Sequence, residues 1–373
     1  MKLTKFFAFA VAALAFVGCE GIGTPQQPEE PETSGSITLK ADKTAVKVGE
    51  TVTFTVEQKD EAGAILDVTA FSTIYDPECV ALEGNTFVAT NTGSYAFFAT
   101  KGSESSNYVT VTVMAEVPEI PKDPQPENYT FNYRALVIDQ TGVNCGYCPN
   151  ATDVLRSLEE TDGLNTHYNE VTCHAGSYAN GDPGNSAAAN ALNKFQSKYI
   201  SGYPCILVNF HGKPESYAYQ YVKSKLQEYV NANKDGAGVG ICLSVQGDDS
   251  AVYCAAQVKS AEAKEYKVTA WLLESGIYSP NQAGATKDYH KIYNHALRNM
   301  AHEYSNTNVE GDAYTFEANS TMDFAFQLPI ISTKWSVEHM EVLVIVSAKD
   351  ANGRWEVANS LTCKVGEFKE YEY

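Results

Sequence analysis

Hydrophobic and polar residues alternate over two long parts of the sequence, and this period of two constrains the fold more than any other feature. Residues 37–114 contain runs such as TVTFTVEQ, separated by short turns with glycine. Residues 236–373 contain runs such as MEVLVIVSAK. Neighbouring side chains of a strand point to opposite faces, so one face of each such strand is buried. Both parts are therefore predicted to be antiparallel β-sandwiches.

The sequence between these parts has a different pattern. ALVI at 135–138 is typical of a buried strand, and apolar residues such as Val154, Leu155 and Leu158 have the spacing of a helix. Strands that alternate with helices predict βαβ units, so residues 129–235 are predicted to form an α/β domain. A linker precedes it, residues 115–128, whose four prolines predict a semi-rigid spacer.

The N-terminal residues have the pattern of an export signal. Lys2 and Lys5 precede an apolar run that is too short to span a bilayer, so residues 1–18 are predicted to be a signal peptide. Cys19 follows a small residue, as in bacterial lipoproteins, whose cysteine is acylated and becomes the new N-terminus. The alternative is an ordinary signal peptide with a chance cysteine. Residues 19–36 are rich in Pro, Glu, Gly and Ser and predict a flexible tether behind the lipid.

Charge and cysteine content narrow the functional classes. The formal net charge is −19 at pH 7, which argues against nucleic acid as a partner and against electrostatic attachment to anionic lipid. The chain contains nine cysteines, and export would place them in the cell envelope, where disulfides persist. The cysteines are therefore candidates for structural disulfides and for redox chemistry.

The two cysteines of NCGYCPN are the main candidate catalytic residues. Cys145 and Cys148 lie between a predicted strand and a predicted helix. The N-terminus of a helix favours a thiolate, so Cys145 is the candidate nucleophile and Cys148 the resolving thiol. Tyr203 and Pro204 begin a later predicted strand. The alternatives are an inert structural disulfide and half of a zinc site, for which no second CxxC pair is present.

These features resemble those of the thioredoxin superfamily, which implies a cis Pro204 that lies against Cys145 and faces the substrate. The whole arrangement resembles the lipoproteins related to outer membrane protein 28, which join a thioredoxin-like module to a C-terminal immunoglobulin-like module. TGVNCGYCP, the Tyr-Pro pair, KVTAWLLESGI and YNHALRNM carry this resemblance. DKTAVKVGETVTFTV also resembles the start of bacterial immunoglobulin-like domains. The implied fold is a multidomain α+β protein in which a thioredoxin-like α/β domain is flanked by two immunoglobulin-like β-sandwiches.

One position departs from that family. The residue before the first cysteine is often Trp there and in thioredoxins, whereas this chain has Asn144. A Trp at this position shelters the dithiol and offers substrate an apolar surface. Its absence argues against general reductase activity.

Other cysteines and histidines give weaker signals. Cys242 and Cys254 flank a predicted turn, but the register that aligns the apolar faces puts them on opposite sides of the sheet, which argues against a disulfide. Cys79 has no cysteine near it in its module and is expected to be a buried free thiol. His290 and His295 are five residues apart, unlike metal ligands on a helix, so neither a metal nor another cofactor is expected.

Two functions from different classes remain open. In the first, a lipoprotein of a Gram-negative outer membrane exchanges disulfides with cysteine-containing envelope proteins, a role that requires Cys145 to be partly exposed. Cys145 attacks, a mixed disulfide forms, and Cys148 resolves it. In the second, a non-enzymatic surface lipoprotein binds an unknown ligand or is structural, and its CxxC is an inert disulfide. In both, lipid on Cys19 attaches the chain to the outer membrane, on its periplasmic or its surface face.

Overall fold

The computed structural model describes residues 34–60, 62–115 and 118–373. The predicted signal peptide, the predicted lipid-attachment residue Cys19 and most of the tether lie outside the described residues. Within the described ranges, no helix combines the length and the apolar character needed to cross a bilayer.

Nine strands form the N-terminal unit: β1 (Ser34–Ala41), β2 (Ala45–Lys47), β3 (Thr51–Lys59), β4 (Ile65–Asp67), β5 (Thr73–Tyr75), β6 (Thr86–Val88), β7 (Gly93–Lys101), β8 (Glu104–Ser105) and β9 (Val109–Met114). One sheet has the order β1-β3-β4 with β6 on β3, and the other has the order β2-β9-β7-β5 with β8 on β7. Alternate residues of both sheets, among them Phe54 and Phe97, share one buried core. The sandwich-like pair of sheets predicted from the alternation is therefore confirmed.

The middle of the chain contains the three α-helices of the described residues. Its elements are β10 (Ala135–Thr141), α1 (Cys148–Glu159), β11 (Tyr168–His174), α2 (Ala187–Phe195), β12 (Cys205–Val208) and α3 (Tyr219–Ala232). β11 is parallel to β10, and β12 is antiparallel to it. Leu155 of α1 and Leu226 of α3 pack together against one face of β10, while Leu192 of α2 packs against the other. The helical periodicity in the sequence thus predicts the correct buried faces.

The remaining strands are β13 (Val239–Gly247), β14 (Ala251–Ser260), β15 (Lys264–Glu274), β16 (Ile277–Tyr278), β17 (Ile292–Tyr293), β18 (Ala296–Met300), β19 (Asp312–Phe316), β20 (Ser320–Pro329), β21 (Met340–Lys349), β22 (Trp355–Lys364) and β23 (Phe368–Lys369). A sheet of order β20-β14-β13-β23 packs through its apolar face on β15, β21 and β22. In β13 and β14, Cys254 is opposite Val245 and Cys242 is opposite Gln257. The prediction that Cys242 and Cys254 lie on opposite faces is confirmed.

The predicted fold class is wrong, because the described protein is mostly β and contains no separate thioredoxin-like α/β domain. The strands of the middle segment belong to an eight-stranded sheet of order β12-β10-β11-β18-β15-β21-β22, with β19 on β15. The junction is a parallel pairing of Thr172 in β11 with Ala296 in β18. Three strands alone would leave the edge of β11 unpaired, and the C-terminal strands complete it. Pairing between such distant strands leaves no mark in the local periodicity of either one.

The Pro-rich segment before β10 lies against the C-terminal sheet. The ammonium group of Lys259 lies 2.8 Å from a carboxylate oxygen of Asp123 and donates to the carbonyl of Gln125 at 3.0 Å. The ring of Tyr129 lies 4.6 Å from the same ammonium group. The Lys259 side chain is buried, and a buried cation is tolerated only with partners of this kind. These contacts hold the segment on the sheet.

Candidate functional site

Cys145 and Cys148 form a disulfide in which the sulfur atoms are 2.04 Å apart. Both side chains are only 2% exposed. Helix α1 begins at Cys148 and has Pro149 in its first turn, where a missing N–H costs nothing, so Cys145 precedes the helix. The partial exposure of Cys145 that disulfide exchange requires is not found.

A segment from the C-terminal part of the chain covers this disulfide. We call residues 279–286 the cover segment. The side-chain amide of Gln282 donates a hydrogen bond to the carbonyl of Cys145 at 3.2 Å. Gly284 has a φ of +70°, and a methyl group on it would overlap the carbonyl of Gly146. The cover segment therefore lies directly on the CxxC turn.

Asn144 has a structural role on the other side of the turn. Its amide donates to the carbonyl of Tyr178 at 3.2 Å and to that of Asn180 at 2.9 Å. The ring of Tyr178 lies 5.1 Å from that of Tyr203. The peptide between Tyr203 and Pro204 is cis, as predicted. The approach of Pro204 to Cys145 and its contact with a substrate stay predictions.

Next to the disulfide lies a cavity of about 310 Å³, bounded by α1, by β10 and β11, and by residues 282–295. We call it the acidic cavity. Toward their ends, the faces of β10 and β11 that turn to α1 carry polar side chains, which is unusual for buried strands. The polar strand residues that line the cavity are Asp139, Thr141, Glu170, Thr172 and His174.

Two buried histidines in the cavity wall are each hydrogen-bonded to a carboxylate. His174 Nδ1 lies 2.9 Å from a carboxylate oxygen of Asp182, so this nitrogen carries the proton and donates. His290 Nε2 donates to Asp153 at 2.9 Å, and its Nδ1 accepts from the backbone N–H of Thr286 at 3.3 Å. Both rings are therefore fixed in orientation, and each holds a neighbouring loop in place.

Asp153 accepts hydrogen bonds from side chains of residues 287–290, which follow the cover segment. It accepts hydrogen bonds from the Tyr289 hydroxyl at 2.6 Å and from the Lys287 ammonium at 3.0 Å, besides that from His290. Burial alone would raise the pKa of this carboxyl, but these donors outweigh it and lower the pKa to about 2. Asp153 thus ties residues 287–290 to helix α1.

His295 and Glu341 form a hydrogen-bonded ion pair at the cavity wall. Burial alone would lower the pKa of His295, but the hydrogen bond to Glu341 and the charge of Glu170 outweigh it and raise the pKa to about 9. His295 is therefore a cation at neutral pH, and its charge is already balanced by Glu341.

Asp139 differs from every other carboxylate described above. It is 2% exposed, and its Oδ1 has no hydrogen-bond partner in the part of the chain that the structure describes. Burial, together with the charge of nearby Glu170, raises the pKa of Asp139 well above its ordinary value. The cavity therefore contains a carboxylate whose bonding is incomplete.

Arg298 forms a buried ion pair with Glu274. Its guanidinium donates to Glu274 at 2.6 Å and to the carbonyl of Pro183 at 2.8 Å, and both charged side chains are buried. Glu274 also accepts from the backbone N–H of Ser336 at 3.0 Å. This pair joins β15, β18 and two loops, and it lies outside the cavity lining.

The remaining described cysteines are free thiols. Cys79 is exposed, which differs from its predicted burial, and five others are buried: Cys173, Cys205, Cys242, Cys254 and Cys363. Among the described residues, no group of three or more His, Cys, Asp or Glu side chains is placed to hold a metal ion.

Sequence reasoning missed the cavity and its cover. Asp139 directly follows the apolar run ALVI, and its position within a strand predicted to be buried was the available signal. Glu341 and the cover segment gave no such signal, because they reach the cavity only through the long-range pairing of β11 with β18.

Comparison with known proteins gives one family and a set of solved structures. The family model of outer membrane protein Omp28 matches residues 192–369, and over that range it confirms the resemblance noted in the sequence. No curated protein matches the chain. The structure of HBP35 of Porphyromonas gingivalis is similar, with a TM-score of 0.53, 15% identity, and coverage of 65% of this chain and 78% of that one.

A second solved structure, of protein AGR_C_4864 from Agrobacterium tumefaciens, has a TM-score of 0.40 and 14% identity, with coverage of 62% of this chain and 95% of that chain. A DUF4785 family protein from Legionella pneumophila has a TM-score of 0.20 and 6% identity, with coverage of 88% and 57%. At these identities a likeness concerns the fold alone, and of these three structures the HBP35 structure has a TM-score above 0.5. The Omp28 match begins after the CxxC, so it includes neither Cys145 nor Cys148.

Proposed function

We propose that this protein is a non-enzymatic outer-membrane lipoprotein that binds a ligand in the acidic cavity, and that its CxxC disulfide is a fixed cross-link. One observation carries this proposal: both sulfurs are buried and the cover segment lies on the turn that contains them. Disulfide exchange requires a thiolate to approach a sulfur atom directly, so access to the sulfur is a condition of the reaction. The covered turn does not meet that condition.

The position of the disulfide indicates that a fixed cross-link would hold helix α1 and the cover segment in place. Cys148 lines the acidic cavity and is the first residue of α1, the helix that forms one cavity wall. The carbonyl of Cys145 accepts a hydrogen bond from the side-chain amide of Gln282. The side-chain oxygen of Gln282 in turn accepts a hydrogen bond from the Tyr293 hydroxyl at 2.8 Å. The disulfide therefore supports both the helix and the cover at the same edge of the cavity.

Two features support attachment of this protein to the outer membrane. The name of the matched family indicates an outer membrane protein, and the leader of this chain has the pattern of a lipoprotein signal. We propose attachment through lipid on Cys19. Metabolic labelling with a fatty acid should tag the wild type and not Cys19→Ala, and equal labelling of both would contradict the anchor.

A trapping experiment tests the proposed role of the disulfide. Cys148→Ser leaves Cys145 as a free thiol that a redox enzyme would use to trap mixed disulfides with its substrates. The exposed Cys79 would react as well, so Cys148→Ser is made in a Cys79→Ala background, and the wild type, which keeps Cys79, is a separate sample. The Cys148→Ser protein is then treated with a small aromatic disulfide under native conditions and in denaturant.

The proposal predicts no reaction of Cys145 in the native protein and full reaction in denaturant. The matched control is wild-type Cys79, which should react under native conditions because it is exposed. Native reaction of Cys145 at a rate near that of Cys79, followed by mixed disulfides with envelope proteins, would replace this proposal with thiol-disulfide exchange.

A further inference from the structure

The incomplete bonding of Asp139 indicates that the acidic cavity takes a ligand. Its Oδ1 is buried without a hydrogen-bond partner among the described residues, and Asp139 lines the cavity. A buried polar group that is left unpaired costs stability, and native proteins contain few such groups. A donor brought by a ligand would remove that cost.

The charged groups around the cavity indicate which charge a ligand should carry. Four carboxylates line it, Asp139, Glu159, Glu170 and Glu341, whereas its cations are Arg156 and protonated His295. His295 is already paired with Glu341. Burial raises the pKa of both Asp139 and Glu170, and the charge of Glu170 raises that of Asp139 further. A cation between them would stabilise both ionised forms, and an anion would be repelled.

The size and lining of the cavity select the class of cation. A volume of about 310 Å³ is far larger than a single ion needs and falls at the lower end of the range for small-molecule sites. The described residues offer no set of metal ligands. Tyr168, Tyr289 and Tyr293 also line the cavity, and the faces of such rings attract organic cations. The guanidinium of Arg156 already lies 4.2 Å from the centre of the Tyr289 ring at the cavity rim.

We infer that the acidic cavity binds a small organic cation, an ammonium or guanidinium compound, whose charged group pairs with Asp139 and Glu170. Its apolar part contacts the tyrosine rings. This inference rests on the proposed function, because it names the class of ligand for the binding site proposed there. Binding is non-covalent, and the disulfide takes no part in it beyond holding α1 and the cover segment.

Three probes of one shape and different charge test this inference by isothermal titration calorimetry of the full-length protein at neutral pH. They are benzylammonium, benzyl alcohol and benzoate. We expect one site for benzylammonium and no binding of the other two. Asp139→Asn keeps the shape of the side chain and removes its charge, so it should weaken benzylammonium binding by about tenfold or more. Asp162→Asn makes the same change at an exposed residue outside the cavity lining and should bind as the wild type does.

Several outcomes would overturn the inference. Equal binding of benzyl alcohol would indicate an apolar site, and binding of Ca²⁺ without benzylammonium would indicate a metal site. An absence of heat with all probes would mean that water alone completes the bonding of Asp139. If Asp139→Asn does not fold, Glu170→Gln takes its place with the same expected loss. These failures concern the acidic cavity and its ligand, whereas the fixed disulfide of the proposed function is tested separately by the trapping experiment.

Discussion

The disulfide lies at the N-terminus of helix α1 and the acidic cavity extends along that helix, but the two regions differ in how completely their polar groups are bonded. Around the disulfide, the carbonyl of Cys145 and the side chains of Gln282 and Asn144 all have partners. In the cavity, Oδ1 of Asp139 is buried without a partner among the described residues. Complete bonding is typical of a region selected for stability, whereas a costly unpaired group is typical of a region selected for function.

This difference has a consequence for mutations. Substitutions that disturb the disulfide or its cover should destabilise the protein, because they remove satisfied contacts. A substitution that removes the unpaired carboxylate should stabilise the protein, because it removes the cost of a buried polar group without a partner. The predictions below test these opposite signs, from the largest expected effect to the smallest.

Replacement of Gly284 by Ala should have the largest effect. The new methyl group would overlap the Gly146 carbonyl, and the φ of +70° disfavours any side chain, so we expect a loss of about 3 kcal/mol in unfolding free energy. Urea titration measures this loss. The detached cover should also make the Cys145–Cys148 disulfide reducible under native conditions.

Gly353→Ala is the matched control for that substitution. Gly353 has a similar φ of +75°, but no atom lies within 4 Å of the position of its Cβ. It should lose only about 1 kcal/mol and leave the disulfide resistant. If Gly284→Ala keeps a resistant disulfide, the cover segment does not protect it.

The double substitution Cys145→Ser, Cys148→Ser should have the next largest effect. The cross-link closes a short loop, so its removal should cost about 2 kcal/mol, measured by urea titration. Cys79→Ser changes the same atom at an exposed free thiol and should have little effect. Equal stability of the double variant and the wild type would contradict a structural role for the disulfide.

Asp139→Asn should stabilise the ligand-free protein by about 1–2 kcal/mol at pH 8. Because burial raises the pKa of Asp139 in the folded state above its ordinary value of 3.8, the folded state holds the proton more tightly than the unfolded state does. The cost of Asp139 is therefore absent below pH 3.8 and grows as the pH rises toward the folded-state pKa.

The gain from Asp139→Asn should accordingly vanish near pH 4, and urea titrations at the two pH values measure it. Asp162→Asn, at an exposed position, should show no such dependence on pH. Destabilisation by Asp139→Asn at pH 8 would indicate that this carboxylate already has a partner in the ligand-free protein.

The smallest effect concerns a single ring in the cavity wall. His295 should titrate at about 9, and Glu341→Gln should lower this pKa, because the variant removes the carboxylate that stabilises the imidazolium. The contribution of this ion pair to stability is present below the ordinary histidine value of 6.5 and is lost as the pH rises through 9.

NMR titration of the histidine ring protons measures this shift. Glu338→Gln removes a carboxylate near His339 at the surface and is the control, since it should leave His295 unchanged. An unchanged His295 pKa in Glu341→Gln would show that this pair does not set the charge at the cavity wall.

The sequence predicts the parts of this molecule that depend on local periodicity. The alternation in TVTFTVEQ predicts that Val52, Phe54 and Val56 are buried together, and the spacing of Leu155 and Leu158 predicts the buried face of α1. The register argument also predicts that Cys242 and Cys254 lie on opposite faces. Each of these depends on neighbours within a few residues or across one turn.

What the sequence does not predict is the pairing of distant strands. The single parallel contact of Thr172 with Ala296 joins the middle strands to the C-terminal sheet and excludes the expected thioredoxin-like domain. The same pairing brings Glu341 and the cover segment to the cavity. A pattern that resembles a redox motif is thus present at a turn that the cover segment contacts and in which both cysteines are buried. The predicted boundaries of the sequence segments stay predictions.

Alkylation of the native wild-type protein tests the central claim most directly. The protein is treated with a mild reductant and then with iodoacetamide, and labelled peptides are measured by mass spectrometry, with Cys79 as the internal standard for an exposed thiol. We predict complete labelling of Cys79 and none of Cys145 or Cys148 until denaturant is added. Labelling of Cys145 as fast as Cys79 in the native protein would contradict the closed disulfide and favour a working dithiol.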